Sequence, residues 1–344
     1  MPAPAATRRR RQSRSRLLLF IGIGQQGVEP GLLLRAEISR RRGRPATTGA
    51  AYNGPRGPDL DRSKLFIMIG TAEDHDSNPL KIAIFRFKRR GGRFISINPV
   101  RTGYSAIADE WVPIRPGTDG ALFLALCNEI IRQGLFDRDF LENYSNAPEL
   151  VNMDENSTEH GMFVRFEIPH DEGCFDPQNK LWWDRNTETA VVNRQENAEP
   201  YFLGEYHLDD GTPVKPAFQL LVDRLSGYTA EWASGITGIP EETIVRLARE
   251  MGITARDEKI ELPIPWTDCW GVEHPVVTGN PVAFHAMRGL AAHSNGFHTI
   301  RAMSILMSLL GTIDRPGGFR HKAPFPRPIP PCAKPPNDSR AVKP

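Results

Sequence analysis

The chain has 344 residues, 40% of them hydrophobic, with 43 basic against 41 acidic side chains and a formal charge of +2. That length holds one large α/β domain or two smaller ones. Composition excludes collagen-like and fully disordered chains, and the longest apolar-plus-glycine run, Leu17 to Gly24, falls far short of the roughly 20 residues a spanning helix needs. The four cysteines, at 127, 174, 269 and 332, are too far apart for a disulfide framework or a close-spaced zinc or iron–sulfur motif, which fits a reducing compartment.

Charge is unevenly spread. Residues 1–50 carry eleven Arg and only Glu29 and Glu37, a net +9 that leaves the rest of the chain at −7. A mildly acidic body argues against nucleic acid as a partner. Residues 1–56 lack periodicity and read as a disordered or aberrant Arg-rich arm. Three other readings compete: an anionic-surface patch at Arg8–Arg11, a crude twin-arginine export signal before Leu17–Ile21, and a start displaced by a shifted reading frame.

From Gly57 the texture is that of a folded region running to 323. Lys64–Gly70 is an apolar run of strand length ending in glycine. After a polar loop, Pro79–Arg90 reads as a helix, with proline in its first turn, bases in its last and Gly91-Gly92 as its stop. Arg93–Asn98 is a second strand, ended by Pro99. This β-loop-α-β unit predicts an α/β fold with a doubly wound, mainly parallel sheet and helices on both faces.

Trp111–Ile114 reads as a short strand, and Arg115–Thr118 as a turn into a helix from Asp119 to about Gly134. A second helix follows at Asp137–Tyr144. Residues 151–215 are polar and form a predicted insertion with short strands. Helices are expected at Pro216–Leu225, at Tyr228–Ala233 with Thr229 as cap, and from Ile239-Pro240 to Met251. Glu261–Trp270 reads as a Pro-rich connection, Pro281–Gly289 as strand then loop, and His298–Leu310 as an apolar helix. A Pro-rich tail occupies 324–344.

Local chemistry leaves several sites open. Gly70 and Thr71 lie at the carboxyl end of a parallel strand, before a helix N-terminus, where nucleotides and phosphates bind. The loop is neither GxGxxG nor a Walker loop, its three acids would repel a bare phosphate, and an ordinary βα loop is the competing reading. Asn98, Pro99 and Arg101 end the second strand. Asp119 is either a helix cap or first-turn acid, which local physics favours, or a carboxylate reading a guanine N1–H and N2–H2. Arg288-Gly289 and His293-Ser294-Asn295-Gly296 are either a capping loop or a ligand-facing loop. The histidines show no metal-ligand spacing, so no protein-ligated metal is expected.

Three stretches together carry a resemblance. Arg101–Asp119, ending Ile114-Arg115-Pro116-Gly117-Thr118-Asp119, is similar to a stretch of the molybdopterin oxidoreductases of the dimethyl-sulfoxide reductase family. So is Tyr228-Thr229-Ala230-Glu231-Trp232-Ala233 with Thr237-Gly238-Ile239-Pro240. So is His293–Gly296 with Leu310-Gly311-Thr312-Ile313-Asp314-Arg315-Pro316-Gly317-Gly318. The matches fall in the family's order across residues 57–323. Within the family, Thr71–Asn78, Gly271–Gly296 and Phe319–Lys322 most resemble the large subunit of sulfite-oxidising and sulfur-compound enzymes.

The resemblance implies a bis-molybdopterin guanine dinucleotide cofactor carrying molybdenum, with oxygen-atom or electron transfer on a small-molecule substrate such as a sulfur oxyanion. The partners it implies are an iron–sulfur electron-transfer subunit, which passes the electrons on, and a membrane-anchor subunit. The location it implies is cytoplasmic, or at a membrane through those partners. Gly70 and Thr71 fall on the family's first nucleotide loop, and Asn98, Pro99 and Arg101 on its second. Gly117, Thr118 and Asp119 fall on the guanine-reading turn; Arg288, Gly289, His293, Ser294 and Asn295 fall on the loop approaching the pterin. Asn98 stands where many members have Asp, yet an amide still hydrogen-bonds ribose. The family's iron–sulfur cysteines, molybdenum ligand and carboxy-terminal cofactor-capping domain have no counterpart here. The expectation is therefore a central fragment of a larger enzyme without an iron–sulfur cluster; a catalytically incompetent cofactor-binding module or a non-functional truncated fragment is the alternative.

Overall fold

A computed structural model describes residues 58–71, 78–101, 103–166, 180–268, 271–286 and 288–319. The arm and the Pro-rich tail lie outside these residues, as do Ala72–Ser77 of the first loop. The strands and helices are, in chain order, β1 Leu65–Ile69, α1 Asn78–Arg89, β2 Arg93–Ile97, α2 Tyr104–Ile107, β3 Glu110–Val112, α3 Asp119–Arg132 and α4 Arg138–Tyr144. Then come β4 Leu150–Asn152, β5 Leu181–Asp184, β6 Ala190–Val192, β7 Pro200–Tyr201, β8 Tyr206–His207 and β9 Pro213–Pro216. The remainder is α5 Ala217–Leu225, α6 Ala230–Thr237, α7 Glu241–Asp257, β10 Ile260–Leu262, β11 Trp266–Thr267, β12 Glu273–His274, β13 Val277–Gly279, β14 Val282–Ala286 and α8 Gly296–Leu309.

The central sheet has four parallel strands in the order β14-β1-β2-β3. The expected β1-α1-β2 unit is therefore present, with α1 as the crossover between parallel neighbours. Every residue of β1 is buried, as a strand covered on both faces requires. Alternation sorts its side chains. Leu65, Ile67 and Ile69 join Ile95, Ile97, Val282 and Phe284 in the large core with residues of α3, α6, α7 and α8. Phe66 and Met68 face the other way, into a smaller core with Phe94, Tyr104 and the α1 residues Ile84 and Phe87. There the Phe66 and Phe94 rings stack at 5.1 Å, and Phe87 meets Phe66 edge-on at 6.1 Å. Among the described residues no helix is long and apolar enough to cross a membrane.

Several elements differ from expectation for identifiable reasons. The third strand is Glu110–Val112, beginning one residue and ending two residues earlier than expected, because Pro113 has no N–H to continue the ladder. The 239–251 helix runs on to Asp257. Gly252 sits inside it as a packing residue, since a Cβ there would lie 2.5 Å from the Leu135 Cβ, and burial of Thr254 and Ala255 carries the helix beyond it. The last helix begins at Gly296. The Pro-rich 261–270 segment is not a bare connection: β10 pairs antiparallel with β13 and β11 with β12. The one-turn helix α2 is too short to leave a periodic signal in the sequence.

The 151–215 segment builds two three-stranded sheets, β4-β9-β8 and β6-β5-β7. It is anchored to the body. Phe202 packs with Phe136 and Phe218, and a buried Lys180–Glu149 ion pair spans 2.5 Å. At the edge of the main sheet Arg93, Glu110, Arg246 and Glu250 form a closed ring of ion pairs that ties α7 to β2 and β3.

Thr229 caps α6 as expected, its hydroxyl accepting from the Trp232 N–H at 3.1 Å. Thr229→Ala should lower stability by about 1 kcal/mol, read as a drop in the urea midpoint at unchanged slope.

Candidate functional site

The sequence-selected residues gather at the carboxyl ends of the parallel strands. Gly70 leaves β1 at φ +62°, and a Cβ there would lie 2.5 Å from a Leu290 methyl. Gly289 comes against the same turn: its own Cβ would stand 3.2 Å from the Gly70 carbonyl oxygen. The two loops thus meet closely because both lack side chains. Thr71 is buried and its hydroxyl donates to the Ile69 carbonyl. Asn98, also buried, donates through Nδ2 to the Thr71 carbonyl at 2.9 Å, bridging the ends of β1 and β2. The Asn98 carbonyl accepts from the Trp111 indole at 2.9 Å, and the Arg101 guanidinium lies 6.0 Å from that indole ring. Pro99 is exposed at the end of this loop.

A second group forms where α3 and α8 begin. Gly117 has φ +78°, and its Cβ position is 3.6 Å from the His293 ring. Asn295 donates from Nδ2 to the Gly117 carbonyl at 3.3 Å. Ser294 is exposed beside them. Arg288 opens a single 3-10 turn, Arg288–Ala291, that links β14 to this loop.

Of the two local readings, Asp119 is the first-turn acid and not the cap. The N-cap of α3 is Thr118, whose hydroxyl donates to the Arg115 carbonyl at 2.7 Å and makes no capping bond. Asp119 is instead the first helical residue, only 7% exposed. Burial pushes its carboxyl above the ordinary range, and a bond from its own N–H and the nearby His293 offset only part of that. Asn295 likewise sits at the N-cap position of α8 without a capping bond, because its amide is turned to Gly117.

Sequence reasoning missed the residues that hold this arrangement. Arg115, Leu290 and Trp111 sit under or beside the selected positions, and only their neighbourhood in the fold reveals them. Among the described residues no three His, Cys, Asp or Glu side chains gather as a metal site. Cys127 is fully buried in α3, and burial raises its thiol far above the reactive range.

Two glycine-containing strand-end loops and a buried carboxylate at a helix start thus stand at the carboxyl ends of the parallel strands of an α/β protein. The molybdopterin oxidoreductase family profile matches residues 36–328, and the chain belongs to that family. It is 67% identical over 298 residues to a sulfite dehydrogenase subunit of Allochromatium vinosum, covering 87% of this chain and 31% of that protein. Dimethyl sulfoxide reductase DmsA of Escherichia coli (strain K12) is 27% identical over 277 residues, 79% of this chain and 25% of the relative. The alpha subunit of formate dehydrogenase from Megalodesulfovibrio gigas is 28% identical over 265 residues, 76% of this chain and 22% of the relative. The chain therefore spans about a third or less of the length of these relatives. Acetylene hydratase from Pelobacter acetylenicus superposes with a TM-score of 0.43 at 19% identity, over 78% of this chain and 23% of its own.

Proposed function

We propose that this region holds the guanosine end of a molybdopterin guanine dinucleotide within a molybdenum-dependent oxidoreductase whose substrate is a sulfur oxyanion. The observation that carries the nucleotide assignment is Asp119. A carboxylate kept in a desolvated position, with its pKa raised, is a cost to the fold unless a ligand uses it. Guanine offers a matching pair of donors.

The residues present fit such a group. Gly70 and Gly289 let two loops pack together at the carboxyl end of the parallel sheet; in a doubly wound, Rossmann-like arrangement a pyrophosphate would meet backbone N–H groups there. Asn98, Pro99 and Arg101 would face the ribose and its phosphate, and Gly117 with Thr118 would present Asp119 to the base. Arg288, Gly289, His293, Ser294 and Asn295 would approach the pterin side. When bound, the molybdenum centre supplies oxygen-atom or electron transfer, and this chain's contribution is to bind and orient it. The sulfur-oxyanion substrate and the multi-subunit setting follow the 67%-identical relative, which is named as one subunit of a sulfite dehydrogenase. An iron–sulfur protein and a membrane anchor complete the proposed assembly, on the cytoplasmic side.

Titration calorimetry of the full chain tests the reading. GDP should bind, and ADP should bind about ten-fold or more weakly, since adenine presents an acceptor where guanine presents a donor. Equal binding of the two, or none of GDP, would overturn the guanine assignment.

A further inference from the structure

We infer that Arg115 is a positioning residue for the turn that presents Gly117 and Asp119, acting by locking that turn onto the carboxyl end of α6. The inference rests on the nucleotide reading of the turn, and its evidence is a complete accounting of the α6 terminus. The last four carbonyls of an α-helix have no intrahelical partner. In α6 these belong to Ser234, Gly235, Ile236 and Thr237. Ser234 is satisfied by the N–H of Gly238, the left-handed C-cap at φ +76°. The other three all accept from Arg115: Gly235 and Ile236 from Nη1 at 2.9 and 3.3 Å, and Thr237 from the backbone N–H at 2.9 Å. The guanidinium also lies at the negative end of the helix dipole. Gly238 makes room for it, since a Cβ there would lie 3.3 Å from Nε.

Arg115 is at the same time the first residue of the turn. Its carbonyl accepts from the Thr118 N–H at 3.3 Å and the Thr118 hydroxyl at 2.7 Å. Pro116 and Gly117 occupy the two central positions, and Gly117 takes the positive φ that the second demands. On the far side Asn295 holds the Gly117 carbonyl. The turn is therefore gripped from both flanks, by α6 through Arg115 and by the start of α8 through Asn295. Arg115 need not touch the nucleotide. It fixes the backbone from which Asp119 reaches the base, and a small misplacement of a preorganised group is expensive in affinity.

The test compares Arg115→Met, Arg115→Lys and Thr229→Ala in the full chain by two readouts. Amide hydrogen exchange is followed over residues 117–120 without nucleotide, and GDP affinity is measured by calorimetry. Arg115→Met keeps the aliphatic stem and removes the donors. Exchange in the turn should rise about ten-fold, and GDP should bind about ten-fold more weakly. Arg115→Lys, with one ammonium, should recover part of both. Thr229→Ala loosens the opposite end of the same helix and should move neither, which separates positioning from general loss of stability. If Arg115→Met leaves exchange unchanged, or raises it while GDP affinity holds, the positioning role is wrong. If exchange rises but the parent chain itself binds no GDP, the turn is positioned by Arg115 as stated and the nucleotide reading is what fails.

Discussion

Asp137→Ala should cost about 3–5 kcal/mol, the range for removing one partner from a buried charged network. Asp137 is almost fully buried and ties α4 and the end of α8 to the connections that carry Lys259 and Asn280. Its Oδ1 accepts from the Phe140 N–H at 2.9 Å and caps α4; its Oδ2 accepts from Asn280 at 2.6 Å and pairs with Lys259 at 2.9 Å. Its own N–H donates to the Leu309 carbonyl at the end of α8. Asn280 is wholly buried, and its Oδ1 has no partner, so its amide depends on Asp137 and the Leu310 carbonyl. Burial alone would raise the Asp137 carboxyl. The bonds from Asn280, Phe140 and Lys259, with the Lys259 charge, outweigh it and hold the group below the usual carboxylate range. Its contribution to stability is thus complete above the unfolded-state pKa near 3.8 and is lost as pH falls through the lower folded value. Urea titration near neutral pH checks the magnitude. Repeating it through the acid range should show parent and Asp137→Ala converging at the lowest pH values, and parallel curves would sink the assignment.

Asp119→Asn should weaken GDP binding by about ten-fold or more without destabilising the fold. The substitution keeps size and turns one acceptor into a donor that would face a guanine N–H. The sign of the stability change separates the two readings of this residue. A raised folded pKa means that the protonated form is the one the fold prefers, so the residue's favourable contribution is lost as pH rises through that pKa. At neutral pH the carboxylate is therefore a burden. A neutral isostere should leave the thermal midpoint unchanged or higher, a common pattern where a site conflicts with stability. A fall in stability with intact GDP binding would return Asp119 to a structural role. The carboxylate form is the one that accepts from guanine, so parent affinity should also drop as pH falls through this raised pKa.

The β1-α1-β2 unit was legible because its apolar runs are bounded by Gly70, Pro79, Gly91-Gly92 and Pro99, which punctuate the chain at each reversal. The short strands β10–β13 were not, since two or three residues carry no period. Thr229 followed the local capping rule, and Asp119 the local preference for an acid in a helix's first turn. What no local rule records is that its carboxylate is buried and that Asn295 turns toward Gly117. Strand ends and helix starts picked out the selected residues, and the resemblance to a family supplied their expected roles. That Gly70 meets Gly289, and Gly117 meets His293, depends on β14 pairing with β1, which no local pattern records.

That pairing has a consequence for how the chain is made. Ser63, just before β1, hydrogen-bonds the Pro281 carbonyl across 218 residues of sequence, and β14 then closes along β1 from Leu65↔Val282 to Ile69↔Ala286. During synthesis β1, α1 and β2 emerge long before their last neighbour does. Until then β1 carries an open edge of five apolar residues, Leu-Phe-Ile-Met-Ile, a ready template for pairing with another chain. Such a long-range closure folds slowly and keeps that edge exposed for longer. Chains ending anywhere between Asp119 and Pro281 would keep it permanently and should collect in aggregates, whereas release of the segment through Ala286 removes the hazard.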